Sequence, residues 1–194
     1  MKRAQMREDS VKIAGAPSIS GLSFRRVRGK PDFKVLATVI QRSRDADLIE
    51  FVETPQDLSE DFDHLQNCRP ESDMLYVYVG NKLVGFCRCE WHSRADGART
   101  YEQNAYLIPE WRIKSLRRAM VRYNDRRLRQ IARSHPRNCL KVFEARANAA
   151  RNPWKSLLLS EGYKPYRHNL QMIRSTARRI PDIPLPEGLE IRPY

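Results

Sequence analysis

Long apolar runs are missing from this sequence. No stretch of its 194 residues approaches the roughly 18–20 apolar residues that a membrane-spanning helix needs. The first part of the chain, MKRAQMREDSVKIAGAPSIS, is polar and charged and has no apolar core of the kind that a secretory signal contains. We therefore expect a cytoplasmic protein with a disordered polar leader over residues 1–19.

Cysteine is also scarce, and its spacing does not match the common metal motifs. The four cysteines are Cys68, Cys87, Cys89 and Cys139. Cys87 and Cys89 are separated by one residue, so a strand would point both to the same face, but no second pair completes a zinc-binding pattern. The sequence therefore predicts no metal site and indicates buried, reduced thiols.

Acidic residues are outnumbered, with 23 of them against 36 basic residues, which leaves a formal net charge of +13. Arginine accounts for 27 of the basic residues and lysine for nine. Because arginine binds phosphate groups through two parallel hydrogen bonds, this composition favours an anionic ligand. Charge alone leaves three classes of ligand open: nucleic acid, an acidic partner and a phosphate-rich cofactor.

The first half of the chain carries the signals of a strand, two helices and an antiparallel meander. Thr54 followed by Pro55 is typical of a helix start, and Gly80-Asn81 between two β-branched and aromatic runs is typical of a tight hairpin turn. The predicted elements are a strand over 21–29, a helix that begins at Pro31, a helix over 54–68, a hairpin over 73–91 and a strand over 97–108.

The second half of the chain alternates helices and strands. Asn152 is placed as the N-cap of a short helix, and Gly162 is placed at its end. Antiparallel strands dominate the order of elements, with one parallel crossover through a long arginine-rich helix, which is typical of an α+β sheet. The predicted elements are a helix over 112–134, a strand over 139–146, a helix over 152–162 and one or two final strands over 163–174.

The end of the chain is proline-rich and then begins a pattern that also occurs near its start. The stretch GLEIRPY at 188–194 shares its glycine, leucine and arginine positions with GLSFRRV at 21–27. Such a match after a complete set of elements favours an internal repeat. Two interpretations stay open: a linker over 177–187 followed by the first strand of a second, truncated domain over 188–194, and a single-domain protein whose tail matches by coincidence.

Two junctions carry a resemblance to a known family. The stretch LIPEWR joins a strand to the arginine-rich helix, and Asn152 lies ten residues before the Gly-Tyr pair that closes the next helix. With the order of elements, these junctions resemble the GNAT superfamily of acyl-CoA-dependent acyltransferases over residues 20–176. The resemblance implies a mixed, mostly antiparallel sheet with helices on both faces and a splayed strand pair for acyl-CoA. The chain is similar above all to tandem GNAT proteins, the group that includes mycothiol synthase, in which a stretch like PEGLEIR at 186–192 begins the second domain.

The resemblance implies acetyl-CoA or another acyl-CoA as co-substrate. The pantetheine arm would pair with the strand edge at residues 105–108, and the pyrophosphate would lie on the following helix N-terminus. The family pattern there is Arg/Gln-x-x-Gly-x-Gly/Ala, whereas Arg112-Ile-Lys-Ser-Leu-Arg117 keeps only the first position. Two interpretations stay open: a modified loop that holds phosphates through its side chains, and a decayed loop that is kept for packing. The residues implied in cofactor binding are Tyr106, Leu107, Ile108, Arg112, Lys114, Ser115, Leu116, Arg117 and Asn152.

Catalytic groups follow from the same resemblance. Acyl transfer to an amine needs a base for the ammonium group and an acid for the leaving thiolate. Many family members use a tyrosine as the acid at the position of Leu158, which cannot donate a proton, so Tyr163 and Tyr166 remain as alternatives. For the base the resemblance indicates Glu102, with Glu90 on the neighbouring strand as its rival.

Three functions are consistent with these patterns. The first is an acyl-CoA-dependent N-acetyltransferase that acts on the amine of a small molecule or a protein. The second is a catalytically inactive GNAT-like half that supports a second, active GNAT domain or forms a homodimer. The third is nucleic-acid binding through the arginines of the helix over 112–134. We disfavour it because no aromatic residue interleaves with the arginines on their face of that helix, and a solvated charged face explains its pattern equally well.

Overall fold

The computed structural model of the chain describes residues 10–27, 33–47, 54–148, 152–170, 172, 174–179, 181 and 183–192. It divides the chain into two units, residues 1–163 and residues 164–194. The described residues of the second unit contain no helix and no strand. All regular elements named below therefore belong to the first unit.

The first unit is an α+β domain built on one sheet. Its strands are β1 (Leu22–Arg26), β2 (Met74–Val79), β3 (Lys82–Ser93), β4 (Arg99–Leu107) and β5 (Lys141–Glu144). Its helices are α1 (Phe33–Asp47), α2 (Pro55–Asp63), α3 (Pro70–Asp73), α4 (Lys114–Arg133) and α5 (Asn152–Ser160), with a 3₁₀ turn at Pro109–Trp111 between β4 and α4. No helix in the described part of the chain is long and apolar enough to cross a membrane.

The five strands lie in the sheet in chain order, and only the last pair is parallel. Strands β1 to β4 form an antiparallel meander. β4 pairs with β5 only as far as Glu102, which lies opposite Glu144. β4 then continues to Leu107 without this neighbour. The arrangement confirms the predicted mixed, mostly antiparallel sheet with a splayed strand pair.

β2 shows that both faces of the sheet are covered. Side chains of successive strand residues point to opposite faces. Met74, Leu75, Tyr76 and Val77 are nevertheless all at most 1% exposed. Helices α1 and α4 both contact β3 and β4. The hydrophobic core therefore extends on both sides of the sheet, as expected for a sheet between covering layers.

Local start and stop signals behave as the sequence predicts. Thr54 Oγ1 accepts a hydrogen bond from the Asp57 N–H at 3.1 Å, and Asp57 Oδ2 accepts one from the Thr54 N–H at 2.7 Å. These two bonds form a capping box at the start of α2. Gly80 in the hairpin and Gly162 after α5 have φ angles of +58° and +90°, a conformation that favours glycine.

Two predictions for individual elements differ from the structure: one helix is shorter than predicted, and strands predicted near the end of the chain are not found among the described residues. The helix predicted over 54–68 ends at Asp63, and Asn67, with φ of +56°, turns the chain before the short α3, which the sequence analysis missed. The strands predicted over 163–174 are not found among its described residues. Pro165 removes a backbone donor in this segment, and a strand forms only where another strand pairs with it.

The polar leader is in contact with the domain from Ser10 onward. Ser10 pairs with Arg25 of β1 in an isolated antiparallel β-bridge, and the Val11 N–H donates to Phe24 O at 2.9 Å. Ile13 is 8% exposed and belongs to the core. The expectation of disorder does not hold for this part of the leader, because its few apolar residues pack on the domain. The residues before Ser10 lie outside the described part.

Gly85 of β3 is packed so closely that a side chain does not fit. A Cβ atom there would overlap the Tyr106 carbonyl oxygen and lie 2.5 Å from Leu107 Cδ2. We expect Gly85→Ala to lower the free energy of unfolding by about 1–3 kcal/mol, as overpacking does in other cores. Urea unfolding measures this change, with Ser93→Ala at the exposed end of the same strand as the control. An unchanged midpoint for Gly85→Ala would contradict the packing of β3 on β4.

Candidate active site

The N–H and C=O groups of every second β4 residue point toward the side of the strand on which β5 pairs and then ends. The Arg99 N–H donates to Leu140 O, next to β5, at 2.8 Å, and the Ile108 N–H donates to Val84 O of β3 at 2.9 Å. The odd-numbered residues of β4 therefore turn their N–H and C=O groups toward β5, and the even-numbered residues turn theirs toward β3. Beyond the pairing with β5, the odd-numbered groups of residues 103–107 have no strand partner on that side. We call this stretch the open edge.

Two carbonyl groups of the open edge accept hydrogen bonds from arginines of the following turn. Arg117 Nε donates to Ala105 O at 3.0 Å, and Arg112 Nε donates to Leu107 O at 2.9 Å. Arg117 is only 7% exposed, and its guanidinium carbon lies 4.0 Å from the ring centroid of Trp154 in α5. The sequence analysis predicts both arginines as phosphate ligands. In the structure their guanidinium groups turn back onto β4, and Trp154 is a contact that the sequence does not predict.

The N-terminus of α4 keeps the donors that a phosphate site needs. Ile113 offers no side-chain cap, and the Arg117 N–H donates to Ile113 O at 3.1 Å as the first bond of the helix. The N–H groups of residues 114–116 therefore have no acceptor inside the helix. Together with the positive end of the helix dipole, these groups suit an anion such as a pyrophosphate.

Several of the residues predicted to bind the cofactor lie along the open edge and the first turn of α4, but they are buried. Leu107, Ile108 and Leu116 are fully buried, so each of them could meet a ligand only through its main chain. Ser115 is exposed in the first turn of α4. Its hydroxyl group is therefore placed to donate to an anion at the helix N-terminus.

Tyr106 contributes packing beside the open edge. Its ring stacks on that of Phe86 of β3, with centroids 4.8 Å apart. Since Tyr106 is an even-numbered residue of β4, its main-chain groups face β3, not the open edge. Asn152 begins α5, and the side chains of Asn152 and Lys114 lie outside the described residues.

A cluster of ionisable side chains gathers where β4 and β5 part. Glu102 and Glu90 are direct partners in the register of β4 and β3, so their side chains share one face of the sheet. His92 joins them, and one nitrogen or oxygen atom from each of the three residues lies within 4.8 Å of the others. Glu102 is 5% exposed and is the last β4 residue paired with β5. The structure thus brings the predicted base and its rival together.

Each carboxylate of this cluster has an arginine partner. Arg146 Nε lies 3.0 Å from Glu102 Oε1, and Arg88 Nη2 lies 2.9 Å from Glu90 Oε1. Burial raises the pKa of Glu102, and the charge of Arg146 opposes the rise. A carboxylate with a raised pKa accepts a proton more readily near neutral pH, which suits a general base. The charge of each carboxylate is therefore balanced by an arginine within the domain.

A hydrogen-bond network holds Tyr163 on the other side of β4. Tyr163 Oη donates to Asp125 Oδ1 at 2.7 Å, and Gln103 Nε2 donates to the same oxygen at 2.9 Å. Asn124 of α4 donates to Gln103 Oε1 at 3.1 Å. Gln103 and Glu102 are neighbours in a strand, so their side chains point to opposite faces. Burial and the bond to Asp125 raise the pKa of Tyr163. Tyr163 therefore has a structural role and does not face the cluster that contains Glu102.

The thiols of β3 are packing groups. Cys87 and Cys89 are both 0% exposed, as their alternation along the strand predicts. Burial raises the pKa of Cys87 to about 12 and raises that of Cys89 well above its usual range. Both thiols therefore stay protonated at neutral pH and are poor nucleophiles.

Solved structures match this fold, although no protein-family model and no curated protein matches the sequence. A GCN5-related N-acetyltransferase from Sphaerobacter thermophilus is 15% identical, with a TM-score of 0.62 over 77% of this chain and 45% of that one. An aminoglycoside acetyltransferase from an uncultured soil metagenomic sample is 8% identical, with a TM-score of 0.57 over 80% of this chain and 96% of that one. A predicted acetyltransferase from Clostridium acetobutylicum, solved with acetyl-CoA, is 14% identical, with a TM-score of 0.57 over 78% and 96%.

These likenesses establish the fold. The chain has the fold of GCN5-related N-acetyltransferases, which the resemblance in the sequence implies. It spans 45% of the length of the Sphaerobacter protein and 96% of the length of the Clostridium protein. The order and pairing of the strands and the position of α4 after β4 are therefore parts of one known fold.

Because Glu102 is buried, we expect the free energy of unfolding to depend on pH. Its pKa in the folded chain is raised above 4.5, so the folded state binds this proton more strongly than the unfolded state does. The resulting stability is present below the unfolded pKa and is lost as the pH rises through the folded pKa. Urea unfolding from about pH 4 to about pH 8 should show the wild type losing stability relative to Glu102→Gln as the pH rises.

Arg146→Ala is the matched control for this pH dependence. Because Arg146 lowers the pKa of Glu102, its removal should enlarge the loss of stability with rising pH. A difference between the wild type and Glu102→Gln that stays constant with pH would contradict a raised pKa of Glu102.

Proposed function

We propose that this chain is an acyl-CoA-dependent N-acyltransferase that transfers an acetyl group to the amine of a small molecule or a protein. The observation that carries the proposal is the buried Glu102, paired with Glu90 across the sheet, at the point where β4 and β5 part. The pantetheine arm of acyl-CoA would lie in this opening. A proton acceptor would then stand beside the acyl group.

Binding of acyl-CoA would use the backbone of the strand-to-helix junction. The free N–H groups of residues 114–116 and the Ser115 hydroxyl suit the pyrophosphate. A structural neighbour from Clostridium acetobutylicum was solved with acetyl-CoA, which supports the proposal. The fit of the arm is incomplete, since the carbonyl groups of Ala105 and Leu107 already have arginine donors.

Glu102 would act as the general base. It takes a proton from the ammonium group of the acceptor, and the free amine attacks the thioester carbonyl. A C–N bond forms and the C–S bond breaks, so that the acyl group moves directly to the amine; the second proton of the amine nitrogen passes to the departing thiolate, and CoA leaves as the thiol. Arg146 holds the carboxylate in place through its ion pair, and Glu90 and the exposed His92 line the side from which the amine would enter.

Glu102→Gln tests this role. The substitution keeps the size of the side chain but removes the proton acceptor, so we expect the kcat for acetyl transfer to fall about 100-fold to 10,000-fold. The KM for acetyl-CoA should change little, because Glu102 does not contact the phosphates. Release of free CoA thiol, measured against a panel of amines and polyamines, gives both constants.

Glu90→Gln is the matched control, since it removes the partner carboxylate and leaves the base. We expect a smaller loss of kcat for Glu90→Gln than for Glu102→Gln. In the wild type, kcat should rise with pH as Glu102 loses its proton, and this rise should be absent in Glu102→Gln. Equal activity of the wild type and Glu102→Gln would exclude Glu102 as the base.

A second function is favoured by a separate observation. Arg117 and Arg112 occupy carbonyl groups that acyl-CoA would use, which suits a GNAT-like half without activity of its own. Such a half would support a second, active GNAT domain joined through the proline-rich stretch at 177–187, or a second copy of this chain. If the chain is folded but neither binds nor consumes acetyl-CoA, this second function is favoured over the first.

A further inference from the structure

Arg117 lies in the opening that β5 leaves beside β4. The family pattern has a small residue at this position of the turn, and here the side chain is a buried arginine, 7% exposed. Its Nε is 3.0 Å from Ala105 O, and its guanidinium carbon is 4.0 Å from the centroid of the Trp154 ring. The guanidinium group therefore lies between the open edge and α5.

The Arg117 side chain occupies the place that an extended amide chain would take if it paired with the open edge. An added strand or a pantetheine arm would donate hydrogen bonds to the odd-numbered carbonyl groups of β4. The carbonyl group of Ala105 already accepts a charge-assisted hydrogen bond from Arg117. The guanidinium plane and its stem also fill the space between Ala105 and Trp154. A ligand cannot share this place with Arg117.

We propose that Arg117 is an internal occupant of the acyl-CoA groove, and that acyl-CoA binds to this part of the open edge only after Arg117 has left Ala105 and Trp154. The inference rests on the proposed function, since it concerns the same groove. It makes Arg117 the residue that sets the affinity of the chain for acyl-CoA. The side chain has enough length to swing toward the first turn of α4, where it would face the bound phosphates.

The expected effect follows from competition between two states of one side chain. The hydrogen bond to Ala105 and the contact with the indole ring both favour the closed state. The apparent affinity of a ligand that needs the open state is reduced by the fraction of molecules in that state. Removal of the Arg117 side chain should therefore strengthen binding, although it also removes a positive charge near the pyrophosphate.

Calorimetric titration of CoA into the full 194-residue chain tests the inference. We expect Arg117→Ala to bind CoA at least about tenfold more tightly than the wild type. The adenosine bisphosphate half of CoA, which lacks the pantetheine arm, is the second probe. Its affinity for Arg117→Ala should be unchanged or lower, because it does not need the place of Arg117 and loses a positive charge.

Two further variants serve as controls. Arg126→Ala removes an exposed arginine of the same helix, so it loses the same charge without opening the groove, and it should not gain affinity for CoA. Arg117→Met keeps a long unbranched side chain at this position but has no donor for Ala105 O. It keeps the inference testable if Arg117→Ala fails to fold in a thermal melt, and it should also bind CoA more tightly than the wild type.

The outcomes separate this inference from the proposed function. CoA that binds to the wild type as tightly as to Arg117→Ala, or more tightly, overturns the internal-occupant inference and leaves the acyltransferase proposal standing. CoA that binds to none of the folded variants overturns both. The inference is also overturned if Arg117→Ala gains affinity for CoA and for its adenosine bisphosphate half equally. The gain then does not depend on the pantetheine arm.

Discussion

A strand that loses its neighbour inside a folded domain leaves backbone groups that must find other partners. β5 leaves β4 after Glu102, and Ala105 and Leu107 beyond that point are 3% and 0% exposed. A buried carbonyl group without a hydrogen bond costs about 1–3 kcal/mol. Arg117 and Arg112 supply the missing donors. The arginines of the turn therefore stabilise the splay of β4 and β5, and the shape of the candidate site depends on them.

This constraint explains why a turn without glycine is compatible with the fold. Glycine lets a ligand approach the backbone closely, and the ligand then provides partners for the open edge. An arginine provides such partners from within the chain, because its donors lie at the end of a long stem. The guanidinium group of Arg117 lies over the ring of Trp154, and Arg117 is only 7% exposed, so its hydrogen bond to Ala105 is shielded from water. The chain can thus complete its own edge without acyl-CoA.

The sequence predicts those parts of the structure that depend on neighbouring residues. The helix start at Thr54 and the turn at Gly80 involve groups only a few residues apart, and both are confirmed. The inward direction of Arg117 could not be predicted, since an arginine in a basic helix indicates a solvated face and its partners lie on other elements. For the same reason the sequence predicted Glu102 as the base but not its partner Arg146. Strand pairing is equally non-local, and this is why the sequence predicted strands over 163–174 that the described residues of this segment do not form.

Alternation along β4 separates the two chemical tasks of the candidate site. Odd-numbered residues present the backbone of the open edge to Arg117, whereas the even-numbered Glu102 presents a carboxylate on one face of the sheet. Trp154 contacts both arrangements, because its ring lies against Arg117 and its Nε1 donates to Arg146 O at 2.9 Å. Arg146 in turn forms the ion pair with Glu102. The position of Arg117 and the environment of Glu102 are therefore linked through the indole ring of Trp154, and a movement of Arg117 would change the support of Arg146 as well.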